Sequence, residues 1–162
     1  MGTHYLATPK TSHAITVVAT TTAIKTVLQV ATPSTTDIKI VAWGISCKGI
    51  VATDPAGEVT LIDTDVAATV TTLTPEKWDS SFAQSSLCVG GTSATGYNAS
   101  AEGSIAASTI LDAQAVHPQG GYGVFFPEGR RPNVKISRFL RVRTLFTVSI
   151  NVIPWILWEE PA

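Results

Sequence analysis

The run Phe139-Leu140-Arg141-Val142-Arg143-Thr144-Leu145-Phe146-Thr147-Val148-Ser149-Ile150-Asn151-Val152 decides the fold class. Leu140, Val142, Thr144, Phe146, Val148 and Ile150 fall on one side of an extended chain. Phe139, Arg141, Arg143, Leu145, Thr147 and Ser149 fall on the other. A period of two is the mark of a strand with one face toward a core. Pro154 interrupts the chain just beyond this run, which points to an edge or a bulge, because proline brings no N–H to a ladder. Trp155-Ile156-Leu157-Trp158 comes next and is expected to close the sheet structure, with Glu159 and Glu160 pairing with the arginines of the run.

Outward from this run the chain repeats the same motif at shorter length. Residues 121–126 read as a strand after the turn His117-Pro118-Gln119-Gly120, and 127–132 as a second loop. Residues 23–31 alternate, with Ile24, Thr26, Leu28 and Val30 opposed to Lys25, Val27 and Gln29. Residues 37–48 are apolar on both faces, as in a central strand, and Gly44 within them marks a bulge or a close backbone approach. After the turn Asp54-Pro55-Ala56-Gly57 come a short strand at 58–63 and a Thr/Val-rich, β-prone run at 67–73. Thr74-Pro75-Glu76-Lys77 has proline where a helix would start, so a single helical turn is expected. Residues 79–101 carry few large apolar anchors and read as a long surface loop of a functional kind. Residues 105–116 are ambiguous: alanines allow a helix, while Ser104, Ser108 and Thr109 favour a strand. Seven or eight strands spaced by turns, with no βαβ alternation, predict an all-β fold over 23–162, a single antiparallel β-sandwich or a barrel. The Thr-rich segment 1–22 shows no helical repeat and is expected as an extended N-terminal arm in contact with a neighbouring subunit.

Composition narrows the classes of function. Charged residues make only 14% of the chain, against roughly 25% in ordinary soluble domains. Many small polar residues replace them, which points to surface covered by neighbours. The net charge of −1 gives no overall basic field for nucleic acid or anionic lipid. No apolar run approaches the ~20 residues of a membrane helix, and the first residues lack a signal-peptide core. Cytosolic synthesis is expected. Cys47 and Cys88 are too few for a disulfide framework, although one bridge between them stays open.

The search for reaction chemistry returns little. His4, His13 and His117 have no Cys, Asp or Glu at metal-ligand spacing. Cys47 and Cys88 lack the local signature of an activated nucleophile. Asp63 and Asp65 lack the oxygen ligands and glycine of a calcium loop, and read as a solvated turn. Gly120-Gly121-Tyr122-Gly123 lacks a following helix and reads as a tight turn rather than a phosphate loop. No enzyme activity, cofactor or metal is expected. One cluster stands out: Arg130, Arg131, Lys135, Arg138, Arg141 and Arg143. It fits a nucleic-acid patch, a docking face for a protein partner, or salt bridges to Glu128, Glu159 and Glu160. Direct nucleic-acid binding is the least favoured of the three.

The sequence resembles a family of small virion structural proteins of tailed bacteriophages, especially those of actinobacteria. The resemblance rests on Ala23-Ile24-Lys25-Thr26-Val27-Leu28-Gln29-Val30 with Lys39-Ile40-Val41-Ala42-Trp43-Gly44-Ile45-Ser46. It continues in Val116-His117-Pro118-Gln119-Gly120-Gly121, Phe126-Pro127-Glu128-Gly129-Arg130, Leu140-Arg141-Val142-Arg143 and Trp158-Glu159-Glu160. It implies a jelly-roll-like sandwich on the outside of the phage head, made in the bacterial host cytoplasm. The implied function is a decoration (cement) protein, bound to the major capsid protein and homotrimeric. Residues 1–22 are longer, and 79–101 poorer in proline, than the family pattern. Two other readings stay open: a tail or neck structural protein, and a glycan-binding module on the particle using Tyr97 with Asn98 or Trp78 with Asp79.

Overall fold

The computed structural model describes residues 2–162, and all regular structure in them is β. The strands are β1 (Thr3–Ala7), β2 (Lys10–Thr11), β3 (Ala14–Ile15), β4 (Val18–Ala19), β5 (Lys25–Ala31), β6 (Ile38–Lys48), β7 (Gly57–Thr64) and β8 (Thr69–Thr72). They continue with β9 (Glu76–Lys77), β10 (Gly96–Ala101), β11 (Ser108–Val116), β12 (Gly121–Phe125), β13 (Asn133–Val134), β14 (Phe139–Leu145) and β15 (Asn151–Glu160). The first sheet runs β12-β6-β15-β1-β9, with β13 added to β6 and β4 to β15. The second runs β11-β7-β14-β5-β10-β8. The strand pairings in both are antiparallel. Consecutive strands repeatedly change sheet: β5 to β6, β6 to β7, β11 to β12 and β14 to β15.

One core lies between the sheets. Trp43, Ile45, Ile156, Trp158 and Tyr5 enter it from the first sheet, and Leu28, Val30, Leu61, Leu140 and Val142 from the second. Each large apolar side chain so buried stabilises the fold by about 1.5–3 kcal/mol. The alternation of residues 140–144 is therefore realised as expected, with Leu140, Val142 and Thr144 all buried.

The run 139–152 is two strands, not one. β14 ends at Leu145 and β15 begins at Asn151, in the other sheet. Phe146 and Ile150 are buried while Val148 is exposed. The apolar alternation passes through the crossover because both strand ends point into the same core. Thr20 fastens this corner: its N–H donates to Ile150 O at 2.7 Å, and its Oγ1 accepts from Ile150 N at 3.0 Å.

Pro154 lies inside β15, a central strand, opposite Ile45 of β6. Within a strand the nitrogen and carbonyl of one residue face the same side. The Pro154 carbonyl faces away from a backbone ladder and accepts the Thr8 hydroxyl at 3.0 Å. β4 pairs only with Asn151 and Val152, and the β1 pairing begins at Ile156, so the missing N–H falls in the gap between them. The irregularity the proline announces is real but displaced: the ladder of β15 with β6 shifts register between Leu157 and Trp158.

Several expectations change. The expected arm 1–22, as far as its described residues 2–22 go, does not stand apart from the sandwich. Tyr5 and Ala7 of β1 and Val18 of β4 are core residues, and β1 pairs with both β15 and β9. The expected helical turn at 74–77 is extended instead, because Glu76 and Lys77 take up ladder positions opposite Leu6 and Tyr5. The long loop 79–101 ends in β10, whose Gly96 and Tyr97 pair with β5 and β8. Small residues permit that close packing: a Cβ on Gly96 would lie 2.3 Å from Thr71 O. The ambiguous 105–116 is strand β11.

Candidate docking face

The six basic residues do not form one face. Arg141 is fully buried (0% exposed), so it docks nothing. Its Nε donates to Thr26 Oγ1 at 2.9 Å, its Nη1 to Val66 O at 3.1 Å and its Nη2 to Glu102 O at 3.0 Å; Nη2 also meets the Glu102 carboxylate. Arg143 stands beside it, with Nε 3.7 Å from the same carboxylate. Arg138 Nε donates to Asp63 Oδ1 at 2.8 Å, so Asp63 is a strand residue in an ion pair rather than part of a solvated turn. Lys135 pairs with Asp37 at 3.2 Å, and Arg131 with Glu159 at 2.6 Å. Arg130 is exposed in the 127–132 loop. Of the expected acidic partners, only Glu159 serves. Glu160 is buried and accepts from Leu87 N at 2.9 Å and Trp158 Nε1 at 3.0 Å. Pairing between the terminal glutamates and Arg141 or Arg143 is thus replaced by Glu102, a residue the sequence does not single out.

The outer face of the first sheet presents a different surface. Leu6 on β1, Trp155 on β15, Phe125 on β12 and Trp78 just past β9 line a cleft of about 400 Å3 together with Thr8. Trp78 is 57% and Phe125 67% exposed. The Phe125 and Trp155 rings are 6.2 Å apart at 46°. Leu157, Val41 and Ala42 are buried, and Leu6 and Trp155 pack against them. The hydroxyl of Thr8 already donates to Pro154 O, and the cleft lining holds no carboxylate or amide side chain.

Local sequence explains how the cleft is built. β15 alternates, sending Ile156 and Trp158 to the core and Trp155 and Leu157 outward. Trp155 lies flat because its neighbour on β6 is Gly44: a Cβ there would stand 2.7 Å from the indole and 2.6 Å from Tyr122 O. Gly44 is thus the close approach its position in the strand announced. Gly44→Ala is expected to overpack this spot, costing about 1–3 kcal/mol. Thermal unfolding will show a lowered midpoint, and Trp155 emission will shift as the ring is lifted.

The end of this face is charged. Lys39, Glu128, Gly129, Arg131 and Glu159 surround a depression of about 160 Å3. Burial pushes the Glu159 carboxyl up, but the Gly2 N–H at 3.0 Å and Arg131 outweigh it and hold it below its usual range. A depressed carboxyl adds stability above its unfolded value, near 4.3, and that stability is lost as pH falls through the folded value. Glu159→Gln is expected to flatten the acid limb of a stability–pH profile below about pH 4.5 and to lower stability at neutral pH, where the amide contacts Gly2 and Arg131 more weakly than the carboxylate does. Denaturant melts at stepped pH read this directly.

The remaining candidates fall into structural places. His117 Nδ1 accepts from Gln119 N at 3.1 Å and Nε2 lies 3.2 Å from Ala52 O, local backbone contacts at a turn. Cys47 and Cys88 are separate free thiols, both buried. Burial lifts the Cys47 thiol to about 11 and raises Cys88 further, with Glu160 adding to the second effect. Burial first, then Asp112, lifts the Tyr122 hydroxyl to about 12. Tyr97, a proposed sugar platform, is only 8% exposed within β10. Trp78 is exposed as a sugar platform would require, but its companions are apolar rather than amide or carboxylate. Asp79 accepts from Ser81 N at 2.8 Å, within its own turn. No family model matches this sequence, and no curated protein or solved structure shows significant similarity to it.

Proposed function

We propose that this chain is a non-enzymatic structural protein of a phage particle, a capsid decoration protein that seats on the major capsid protein through the aromatic cleft of its first sheet. The cleft carries this reading. Four large apolar side chains from four parts of the chain converge on an open surface, where water would otherwise cover them. Exposed apolar surface of this kind marks a site of association. A sugar would need several convergent polar partners beside the rings, and the lining holds no carboxylate or amide side chain and a single hydroxyl that is already engaged. An apolar protein side chain needs none. The phage setting is supported by the resemblance in residues 23–46, 116–130, 140–143 and 158–160, and the alternation of strands between sheets is in keeping with a jelly-roll-like wiring.

The test is a reconstruction of the intact particle. Density for the chain on the outside of the head, in hundreds of copies with the cleft against shell protein, is the expected result. Density confined to tail or neck, or a cleft facing solvent on the head, overturns the decoration role.

A further inference from the structure

We propose that Arg143 anchors a second recognition site, on the outer face of the second sheet, which takes an acidic side chain of a partner protein set beside an aliphatic one. Arg143 lies in a shallow depression of about 170 Å3 with Ile24, Ile62, Ile110 and Leu145. Ile24 and Ile110 are 48% and 63% exposed, so open apolar surface borders the guanidinium. Among the described residues Arg143 donates no hydrogen bond: its enclosed Nε has no acceptor, and Glu102 Oε2, its ion-pair contact, stands 3.7 Å away. That carboxylate is already engaged. It accepts from the Thr26 hydroxyl at 2.7 Å, from the Thr26 N–H and from the buried Arg141. A guanidinium half withdrawn from water and lacking an acceptor is a group that a ligand's carboxylate satisfies, because the planar fork of arginine matches a carboxylate in two parallel bonds.

The local charge selects the same ligand. Lys25 lines the adjoining depression together with Glu102. Lys25, Arg141 and Arg143 therefore gather about one carboxylate. Glu58, on the rim of the Arg143 depression, makes no ion pair among the described residues. Even with Glu58 counted, three cations stand against two carboxylates, an excess of one positive charge. The walls say what carries the ligand's charge. A free fatty acid needs an enclosed channel for its tail, and this depression is shallow. An acidic side chain places only a short stem against Leu145 and Ile62, and aliphatic neighbours on the same partner cover Ile24 and Ile110. The aromatic cleft belongs to the first sheet and Arg143 to the second, so this proposal and the capsid-docking reading fail independently.

The experiment follows the Arg143 Nε–H and the Ile24 and Ile110 methyl signals of the full chain by NMR as acetyl-Leu-Glu-Leu-amide is added. Saturable shifts of all three are expected, with a Kd on the order of 1 mM, as the ligand efficiency of so small a peptide allows. Acetyl-Leu-Gln-Leu-amide is expected to bind wild type roughly tenfold more weakly, because it brings no charge to the fork. This comparison needs no variant. Arg143→Gln is expected to weaken binding of the glutamate peptide by a similar factor, and Glu58→Gln, which removes a like charge from the rim, to tighten it at low salt. No saturable shift, equal binding of the two peptides, or binding indifferent to Arg143→Gln would each overturn the proposal. Hexanoate and decanoate form the last arm. Equal, weak binding of the two agrees with a short stem, whereas affinity that climbs with each added methylene puts a fatty acid in the site and overturns the protein partner.

Discussion

Arg141→Met is expected to lower stability by about 3–5 kcal/mol, the range for breaking a buried ion pair by removing one partner. The guanidinium is fully enclosed and bonds the Thr26 hydroxyl, two carbonyls and the Glu102 carboxylate. Methionine fills much of the space but leaves those acceptors without donors. Burial pulls the Arg141 proton affinity down, and Glu102 opposes this, so the pair holds its charge as a unit. For a domain of this size the loss corresponds to a fall of about 10 °C in Tm. Glu102→Gln alone should also be costly, because it leaves a buried cation beside Arg143. The double variant should recover a good part of the sum, since a neutral pair no longer strands a charge. Three melting curves decide it. Additive losses would mean that Arg141 and Glu102 act separately, contrary to the geometry.

Arg141 also shows where the sequence was legible and where it was not. The alternation of residues 139–145 correctly separates Leu140, Val142 and Thr144 from Arg141 and Arg143, because strand periodicity is a local property. What it cannot show is that the second face is covered too. Gln29 and Arg141 are register partners on the second sheet's outer face, and both are buried under connecting segments. Gln29 Oε1 accepts from Ala68 N at 2.8 Å and its Nε2 donates to Ala94 O at 2.7 Å. Those partners come from stretches of Ala, Thr, Ser and Gly with no pattern of their own, so the cover over Arg141 has no sequence signal. Segment 1–22 fails for a related reason. Its core residues, Tyr5, Ala7 and Val18, are scattered among threonines, and only pairing with β15 gives them a sheet to join. The cleft was half visible. Trp78 and Trp155 stand out as residues, but their meeting with Phe125 and Leu6 depends on a strand order that no local pattern encodes.

Trp78→Ser is expected to weaken attachment to phage heads stripped of this protein by roughly 30-fold or more, while leaving the fold intact. The first half rests on hot-spot energetics: truncating a buried interfacial tryptophan commonly costs about 2 kcal/mol or more. The second rests on its position. Trp78 is 57% exposed and its side chain is no part of the core, so the change should alter stability by at most about 0.5 kcal/mol. Phe125→Ser should act in the same direction, and Trp78→Phe should retain most of the binding because it keeps an apolar ring. Salt separates this route from the electrostatic one. If the cleft carries the contact, raising salt from about 0.1 to 1 M, which shortens the Debye length from about 10 to 3 Å, should leave attachment unchanged or strengthen it. If exposed cations such as Arg130 and Lys135 carry it, the same change should release the protein, and Trp78→Ser should bind as wild type does. Retention of the variant chains on stripped heads at both salt concentrations, measured by co-sedimentation, distinguishes the two. Salt-sensitive binding indifferent to Trp78 and Phe125 would remove the cleft from the mechanism and return the basic residues to it, with Arg141 still excluded by its burial.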